Sequence, residues 1–385
     1  MDDDVRPAGT TGSPDPGDWQ AWAAARPATD VVHLDSASAG RSSLAVLEAM
    51  SAHALLEATR GGYVAAEVHA PGVEQARADA AALLGSDPEG VAFVESATRA
   101  LDALLECWPL PDRARVAVAP SAWEPNVESL RHRGLEPVLL PVDGAGVVDL
   151  EALDRTLRRD PPELVLVDQV AAHRGLVQPA AEVAALGRAH GVPVWVDAAQ
   201  SLGHVDAATA ADATFATSRK WVTGPRGVGV LAVAPASRAG LRVKRLAKHG
   251  DAGVVRRLES DEAHVAGRVG LGVALRELHD LGPHRVHERL RAVGARVREA
   301  AADLPGWRVD RPEAPAGAVT TLLPTRGQDV TAERDRLLHR HRVVTTVCLP
   351  WRAPLDMAAT GPGLRLSPHV DLTEEDLLAV YRALG

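Results

Sequence analysis

Three positions in this sequence have the residue types and spacing for chemistry on an amino group. Lys is almost absent: of 42 basic residues only Lys220, Lys244 and Lys248 are lysines, and the rest are Arg. Arg keeps a surface soluble as well as Lys does, but a guanidinium stays protonated and cannot act as a nucleophilic amine. Lys220 stands in Ala216-Thr217-Ser218-Arg219-Lys220-Trp221, just after an apolar run. Its neighbour Arg219, and burial if the residue is enclosed, both lower the pKa of such an amine and favour a Schiff base; the alternative is a solvated surface Lys. Lys244 and Lys248 fall in the basic stretch 242–248, which reads as a solvated helical face. Twenty-three residues before Lys220, Asp197 ends Val194-Trp195-Val196 and precedes Ala198-Ala199-Gln200. An acid in that place either caps a helix or partners a buried cation. Ser96-Ala97-Thr98 follows the run Val91-Ala92-Phe93-Val94 and opens a helical pattern. Backbone N–H groups and two hydroxyls at a helix start suit a phosphate, although an ordinary Ser cap accounts for the same residues.

A phosphate cradle, an acid for a ring nitrogen and a Schiff-base Lys together meet the needs of pyridoxal 5'-phosphate. Their order, with Val196-Asp197-Ala198-Ala199-Gln200-Ser201-Leu202-Gly203 and Ser218-Arg219-Lys220 followed by Gly224-Pro225-Arg226-Gly227-Val228-Gly229, resembles the class V aminotransferase family of fold-type I enzymes. The resemblance covers roughly 31–385. Three further stretches resemble the branch of hercynylcysteine sulfoxide lyases in ergothioneine biosynthesis: Gly61-Gly62-Tyr63-Val64-Ala65-Ala66-Glu67, Ala263-His264-Val265-Ala266-Gly267-Arg268, and Leu364-Arg365-Leu366-Ser367-Pro368-His369-Val370-Asp371. That branch cleaves a C–S bond and leaves a thiol-histidine product, pyruvate and ammonia. The resemblance implies roles. Lys220 and Asp197 are catalytic. Ser96, Ala97, Thr98, Ser218 and Arg219 surround the phosphate, Gln200 meets the ring oxygen, Trp123 stacks on the ring, and His173 completes the cofactor set. Arg365, Tyr63 and Ser38 face the substrate, Arg365 gripping its α-carboxylate in a two-pronged pair. As plain residues, Trp123 reads equally as core, Arg365 as surface, and His173 with Arg174 as a loop cap. The resemblance also implies a homodimer with sites at the subunit interface.

Two departures stand out. Many relatives carry His where this chain has Arg219, and a Gly-Thr pair where it has Ser260-Asp261-Glu262-Ala263; Arg226 or His264 is left to replace that pair. The rival activities are a cysteine desulfurase or selenocysteine lyase-like reaction and plain transamination. Desulfurases need a mobile reactive thiol. Here Pro350-Trp351-Arg352-Ala353-Pro354 puts Trp351 in its place, Cys348 is three residues early, and Cys107 sits in a helix. A non-catalytic scaffold has no need to keep Lys220, Asp197 and Gln200 together. Trp221, Tyr63 and Trp351 are candidates to face a substrate cation.

The elements that must position these residues read as an α/β fold. Apolar runs at 91–94, 116–118, 137–142, 164–167, 194–196, 214–216 and 228–233 alternate with helical patterns, which predicts a mostly parallel seven-stranded sheet covered on both faces. Ligands then bind at the strands' carboxyl ends. Before the sheet, 43–60 reads as a helix stopped by Gly61-Gly62, and 71–84 as another. The domains expected are a loose leader over 1–30, with a short helix near 19–25, a large cofactor-binding domain over 31–240, and a smaller α+β domain over 241–385. The 385 residues are 46% hydrophobic and 24% charged, which excludes a wholly disordered chain. A net charge of −9 offers no footprint for nucleic acid or an anionic membrane, and no apolar run nears the roughly 18 residues of a span. The acidic start Met1-Asp2-Asp3-Asp4 is unlike a secretory signal. Two Cys supply neither a disulfide framework nor a metal cluster and fit a cytoplasmic setting.

Overall fold

The computed structural model describes residues 16–244, 253–260, 262–310, 313–357 and 361–385. Its strands, in chain order, are β1 (Val32–His33), β2 (Val91–Val94), β3 (Arg115–Val118), β4 (Glu136–Leu139), β5 (Leu164–Asp168), β6 (Val194–Asp197), β7 (Ala213–Thr217), β8 (Gly229–Val233), β9 (Trp307–Val309), β10 (Thr320–Pro324), β11 (Val343–Val344), β12 (Thr346–Cys348) and β13 (Gly363–Leu366). Seven of them form one sheet in the order β2-β8-β7-β6-β5-β3-β4. Pairing from β7 through to β4 is parallel, and β8 runs against both of its neighbours. The expected seven-stranded α/β sheet is therefore present.

Alternation along each strand divides two apolar layers. Val165, Val167, Val194 and Val196 enter one layer; Leu164, Leu166 and Trp195 enter the other. Helices close both. Leu153, Leu157, Val183 and Ala184 cover the first, and Leu101, Leu104, Val127 and Leu130 the second. Each fully buried aliphatic side chain is worth about 1.5–3 kcal/mol, so a strand apolar on both faces belongs in the middle of such a sandwich.

Four expectations need correction. The stretch 61–70 is not a loop before a helix at Pro71: one helix runs Gly62–Leu83 with Pro71 inside it. That ring forgoes one intrahelical bond, but Ala65, Ala76, Ala80 and Ala81 are buried and hold the helix straight on through it. Its packing partner is the helix Val265–Leu281, which also lies against Leu44–Arg60. A Cβ added at Gly270 would stand 2.7 Å from Met50 Cγ, so only Gly permits that approach. Helix Val265–Leu281 thus belongs to the core of the large sheet, and the cores do not divide at 240. The second core comprises Val297, Leu322, Leu337, Leu364, Leu366 and Val380 under the antiparallel sheet β12-β13-β10-β9, and it recruits Leu34 through the parallel pair β1–β11.

The leader is also less loose than expected. Helix Pro16–Ala24 docks with Trp19 and Trp22 buried, while 1–15 lie outside the described residues. Residues 241–244 are not helical; Lys244 is exposed, and Lys248 and Asp261 lie outside the described residues.

Candidate active site

The parallel order brings the carboxyl ends of β2, β3, β5, β6 and β7 to one edge, and the residues singled out in the sequence follow those ends. Asp197 is the last residue of β6 and is level with Asp168, the last of β5. Both are buried. Asn126, in the helix after β3, donates Nδ2 to Asp197 Oδ2 at 2.7 Å and reaches Asp168 Oδ1 at 3.4 Å. Ala199 N–H donates to Asp197 Oδ1 at 2.8 Å, and Trp123 N–H to Asp168 Oδ2 at 2.8 Å. Burial raises both carboxyl pKa values, opposed by these donors and by Lys220; Asp168 is pushed up to about 8, with Asp197 adding to its rise.

Lys220 follows β7 and is half-buried. Its ammonium has no hydrogen-bond or ion-pair partner among the described residues. Burial draws it down to about 7; Asp197 opposes that shift, and Arg219 and Arg365 add to it. An amine with that pKa is substantially neutral near pH 7 and is nucleophilic. Gln200 is fixed beside it. Its Nε2 donates to Ala37 O at 2.8 Å, and its Oε1 accepts from Trp221 Nε1 at 2.9 Å. Trp221 is itself held in a column of rings: His204 stacks on it at 3.9 Å, His369 lies at 6.1 Å, Trp22 stacks on His369 at 4.4 Å, and Arg26 caps Trp22 at 3.2 Å. Burial keeps His204 and His369 neutral, each at about 3.

Ser96 caps the helix Ala97–Cys107 through Oγ, which accepts from Arg99 N–H at 3.0 Å. Gly229 presses on it: a Cβ there would stand 2.6 Å from the Ser96 carbonyl carbon. Ser218 is sealed, with Oγ donating to Val228 O at 2.8 Å and to Pro225 O. Across the edge, Arg365 in β13 is only 1% exposed. Its guanidinium donates to Ala172 O at 2.7 Å, Asp35 Oδ1 at 3.2 Å and Ser38 Oγ at 2.5 Å, and its Nε is buried without an acceptor.

A family model, aminotransferase class-V, matches residues 32–377. The chain belongs to the class-V aminotransferase family. Within that family it is 45% identical over 365 residues to the probable hercynylcysteine sulfoxide lyase of Mycobacterium tuberculosis, covering 94% of this chain and 92% of that one. A probable cysteine desulfurase of Halalkalibacterium halodurans is 24% identical, covering 92% of each. Among solved structures the cysteine desulfurase CsdA of Escherichia coli superposes with a TM-score of 0.82 at 21% identity, covering 95% of this chain and 97% of that one. The complex of the cystine C–S lyase C-DES with cysteine persulfide also gives 0.82, at 18% identity, covering 92% and 97%. These likenesses place the class-V chain in fold type I of the pyridoxal-phosphate enzymes.

Of the residues anticipated from sequence, Asp197, Arg219 and Arg365 lie within electrostatic reach of Lys220. Arg365 and Ser38 are in direct contact, and Arg365 is no surface residue. His173 is a different case: its Nε2 lies 3.1 Å from Asp356 Oδ2, beside Arg174, which bridges Asp356 and Asp310 at 3.0 and 3.3 Å. Tyr63 is 91% exposed, on the first turn of its helix. Trp221 is 1% exposed with a His ring on either side, so it offers no open face to a substrate cation. Trp351, 52% exposed, does. Both Cys are buried, and burial pushes the Cys107 thiol up to about 11. Sequence reasoning missed Asn126, Asp168, Asp35 and Thr346. Thr346 Oγ1 donates to Asp35 Oδ1 at 2.6 Å and orients it on Arg365. Asp168 ends an apolar run just as Asp197 does, and that was the available signal.

Proposed function

We propose that the protein is a pyridoxal-phosphate-dependent C–S lyase acting on hercynylcysteine sulfoxide, forming pyruvate, ammonia and a sulfenic product that becomes ergothioneine on two-electron reduction by a separate reductant. The observation that carries this reading is the unpartnered amine of Lys220 beside Asp197, in a chain 45% identical to a probable lyase of that specificity.

The residues fit the cofactor. Among the described residues the buried pair Asp168–Asp197 has only neutral hydrogen-bond donors and no ion pair, and a protonated pyridine nitrogen would supply the charge that Asp197 lacks. In this reading Trp123 would meet the ring face, Gln200 the ring oxygen, and the helix start at Ser96–Thr98 with Arg219 the phosphate. Bound pyridoxal phosphate supplies an electron sink for the pair left when the substrate Cα–H bond breaks. Lys220 Nζ, neutral near pH 7, takes that proton. Asp197 keeps the ring nitrogen protonated. Arg365, with a free buried Nε and a guanidinium oriented by Asp35 and Ser38, receives the α-carboxylate and fixes which bond stands over the ring.

The desulfurase alternative requires an accessible thiol, and both thiols are buried. A homodimer is proposed from an exposed apolar face on two adjoining helices, made of Leu44, Leu47, Leu55, Tyr63, Val64 and Val68. Two separate free thiols suit a reducing compartment, and the cytoplasm is the proposed location. The deciding experiment supplies the purified, cofactor-loaded protein with hercynylcysteine sulfoxide or with free cysteine. Pyruvate in step with sulfoxide consumption supports the lyase; alanine from cysteine, with no pyruvate from the sulfoxide, replaces it with a desulfurase.

A further inference from the structure

Arg352 sits at the rim of this site with no anion to serve. It ends the short turn Pro350–Arg352 and is half-buried. Its guanidinium carbon lies 5.7 Å from the centroid of the Trp123 ring and 5.5 Å from that of Trp351, and those two rings are 6.1 Å apart at 48°. Both distances fall within the range of a cation–π contact. Its Nε is sealed from solvent without an acceptor, and Arg352 has no hydrogen-bond or ion-pair partner among the described residues. Neighbouring carboxylates are engaged elsewhere: Asp35 with Arg365 and Thr346, Asp356 with His173 and Arg174, Asp310 with Arg174.

A guanidinium keeps its charge, so enclosing it without an anion is costly unless a ligand completes it. The position says which ligand. Trp123, whose ring Arg352 approaches, donates its backbone N–H to Asp168, which is level with Asp197, so Arg352 is tied to the neighbourhood of the carboxylate pair. The other charges of the proposed reaction already have receivers: Arg365 for the α-carboxylate, Arg219 and the Ser96 helix start for the phosphate. Arg352 is left over, next to the half-exposed Trp351.

We propose that Arg352, held between Trp123 and Trp351, binds a second carboxylate carried on the sulfur substituent of the substrate. The preferred substrates are then cysteine S-conjugates whose leaving portion is itself an acid, and the betaine carboxylate of a hercynyl group is one. This rests on the C–S lyase reading for the identity of the sulfur substituent; the anion site itself rests on geometry.

The test uses the cofactor-loaded protein and two matched probes, S-(2-carboxyethyl)-L-cysteine and S-(2-carbamoylethyl)-L-cysteine, with binding measured by calorimetry. The wild type should bind the carboxylate about 10–100-fold tighter than the carboxamide, the range for a charge-assisted pair. Arg352→Gln should collapse that ratio to about 1–3, and Arg352→Lys should restore part of it. Arg365→Gln should weaken both probes and keep the ratio. A wild-type ratio near 1, or an unchanged ratio in Arg352→Gln, overturns the proposal. So does weakened cofactor binding in Arg352→Gln with the ratio intact, which would assign Arg352 to the phosphate. The sulfoxides of the same probes separate the two readings. No pyruvate with the affinity ratio intact removes the lyase and leaves the carboxylate site; pyruvate from both with a ratio near 1 does the reverse.

Discussion

Asp168 and Asp197 end adjacent parallel strands at the same level, and the amide of Asn126 reaches both carboxylates, at 3.4 and 2.7 Å. Two acids in one buried place cannot both ionise without cost. In the proposed holoenzyme the protonated ring nitrogen would offset that cost at Asp197.

That pair makes the stability of the cofactor-free protein depend on pH. Asp168 is pushed up to about 8, above its unfolded value near 4. Its contribution is full below pH 4 and is lost as pH rises toward 8. Lys220 is drawn down to about 7 from its unfolded value of 10.5, so the folded amine loses its proton first; its contribution grows as pH rises through 7 and is full only above the unfolded value. Asp168→Asn should flatten the fall in urea midpoint between pH 5 and pH 8. An identical slope in the two proteins would remove Asp168 as its source.

The proposed lyase reaction calls on neither thiol. Cys107→Ala and Cys348→Ser should each keep lyase turnover within about a factor of three, since changes at buried positions mainly alter stability. A Cys348→Ser protein that folds and binds cofactor but is inactive would revive the desulfurase alternative.

The ring column is structural, and one bond in it reaches the site. Trp221→Phe keeps an aromatic ring between His204 and His369 but leaves Gln200 Oε1 without its donor. The expected cost is about 1–3 kcal/mol in urea unfolding, with weaker cofactor retention as the Gln200 amide loses its orientation. Wild-type stability together with wild-type cofactor affinity would show that this bond does not set Gln200.

The exposed face on helices Leu44–Arg60 and Gly62–Leu83 should be covered by a second copy. Sedimentation should give twice the 40.5 kDa chain mass. Mixing Lys220→Ala with Tyr63→Ala should recover activity if Tyr63 serves the neighbouring site. A single monomeric species would reject the dimer.

The sheet was legible because its strands are apolar on both faces: runs such as Leu164-Val165-Leu166-Val167 admit little else between helices. Lys220 and Asp197 were legible because each follows such a run. Asp168 ends a run of the same kind, but its pairing was hidden. Its meaning comes from register with Asp197 and from Asn126, which is 42 residues away from it in the chain, and no local pattern encodes a cross-strand level. Helix Gly62–Leu83 was misread at its start because Gly61, Gly62 and Pro71 signal breaks, while the burial that overrides them comes from helix Val265–Leu281, some 200 residues on. The leader's short helix was legible near 19–25, but its docking was not: Trp19 and Trp22 show no periodicity, and Trp22 finds its partner in His369.

The most direct test of the account is to locate the cofactor. Borohydride reduction of the loaded protein, followed by peptide mass spectrometry, should place the pyridoxyl group on Lys220 alone, and Lys220→Ala should carry no label. A label on Lys244 or Lys248 would contradict the assignment of the site and the mechanism built on it.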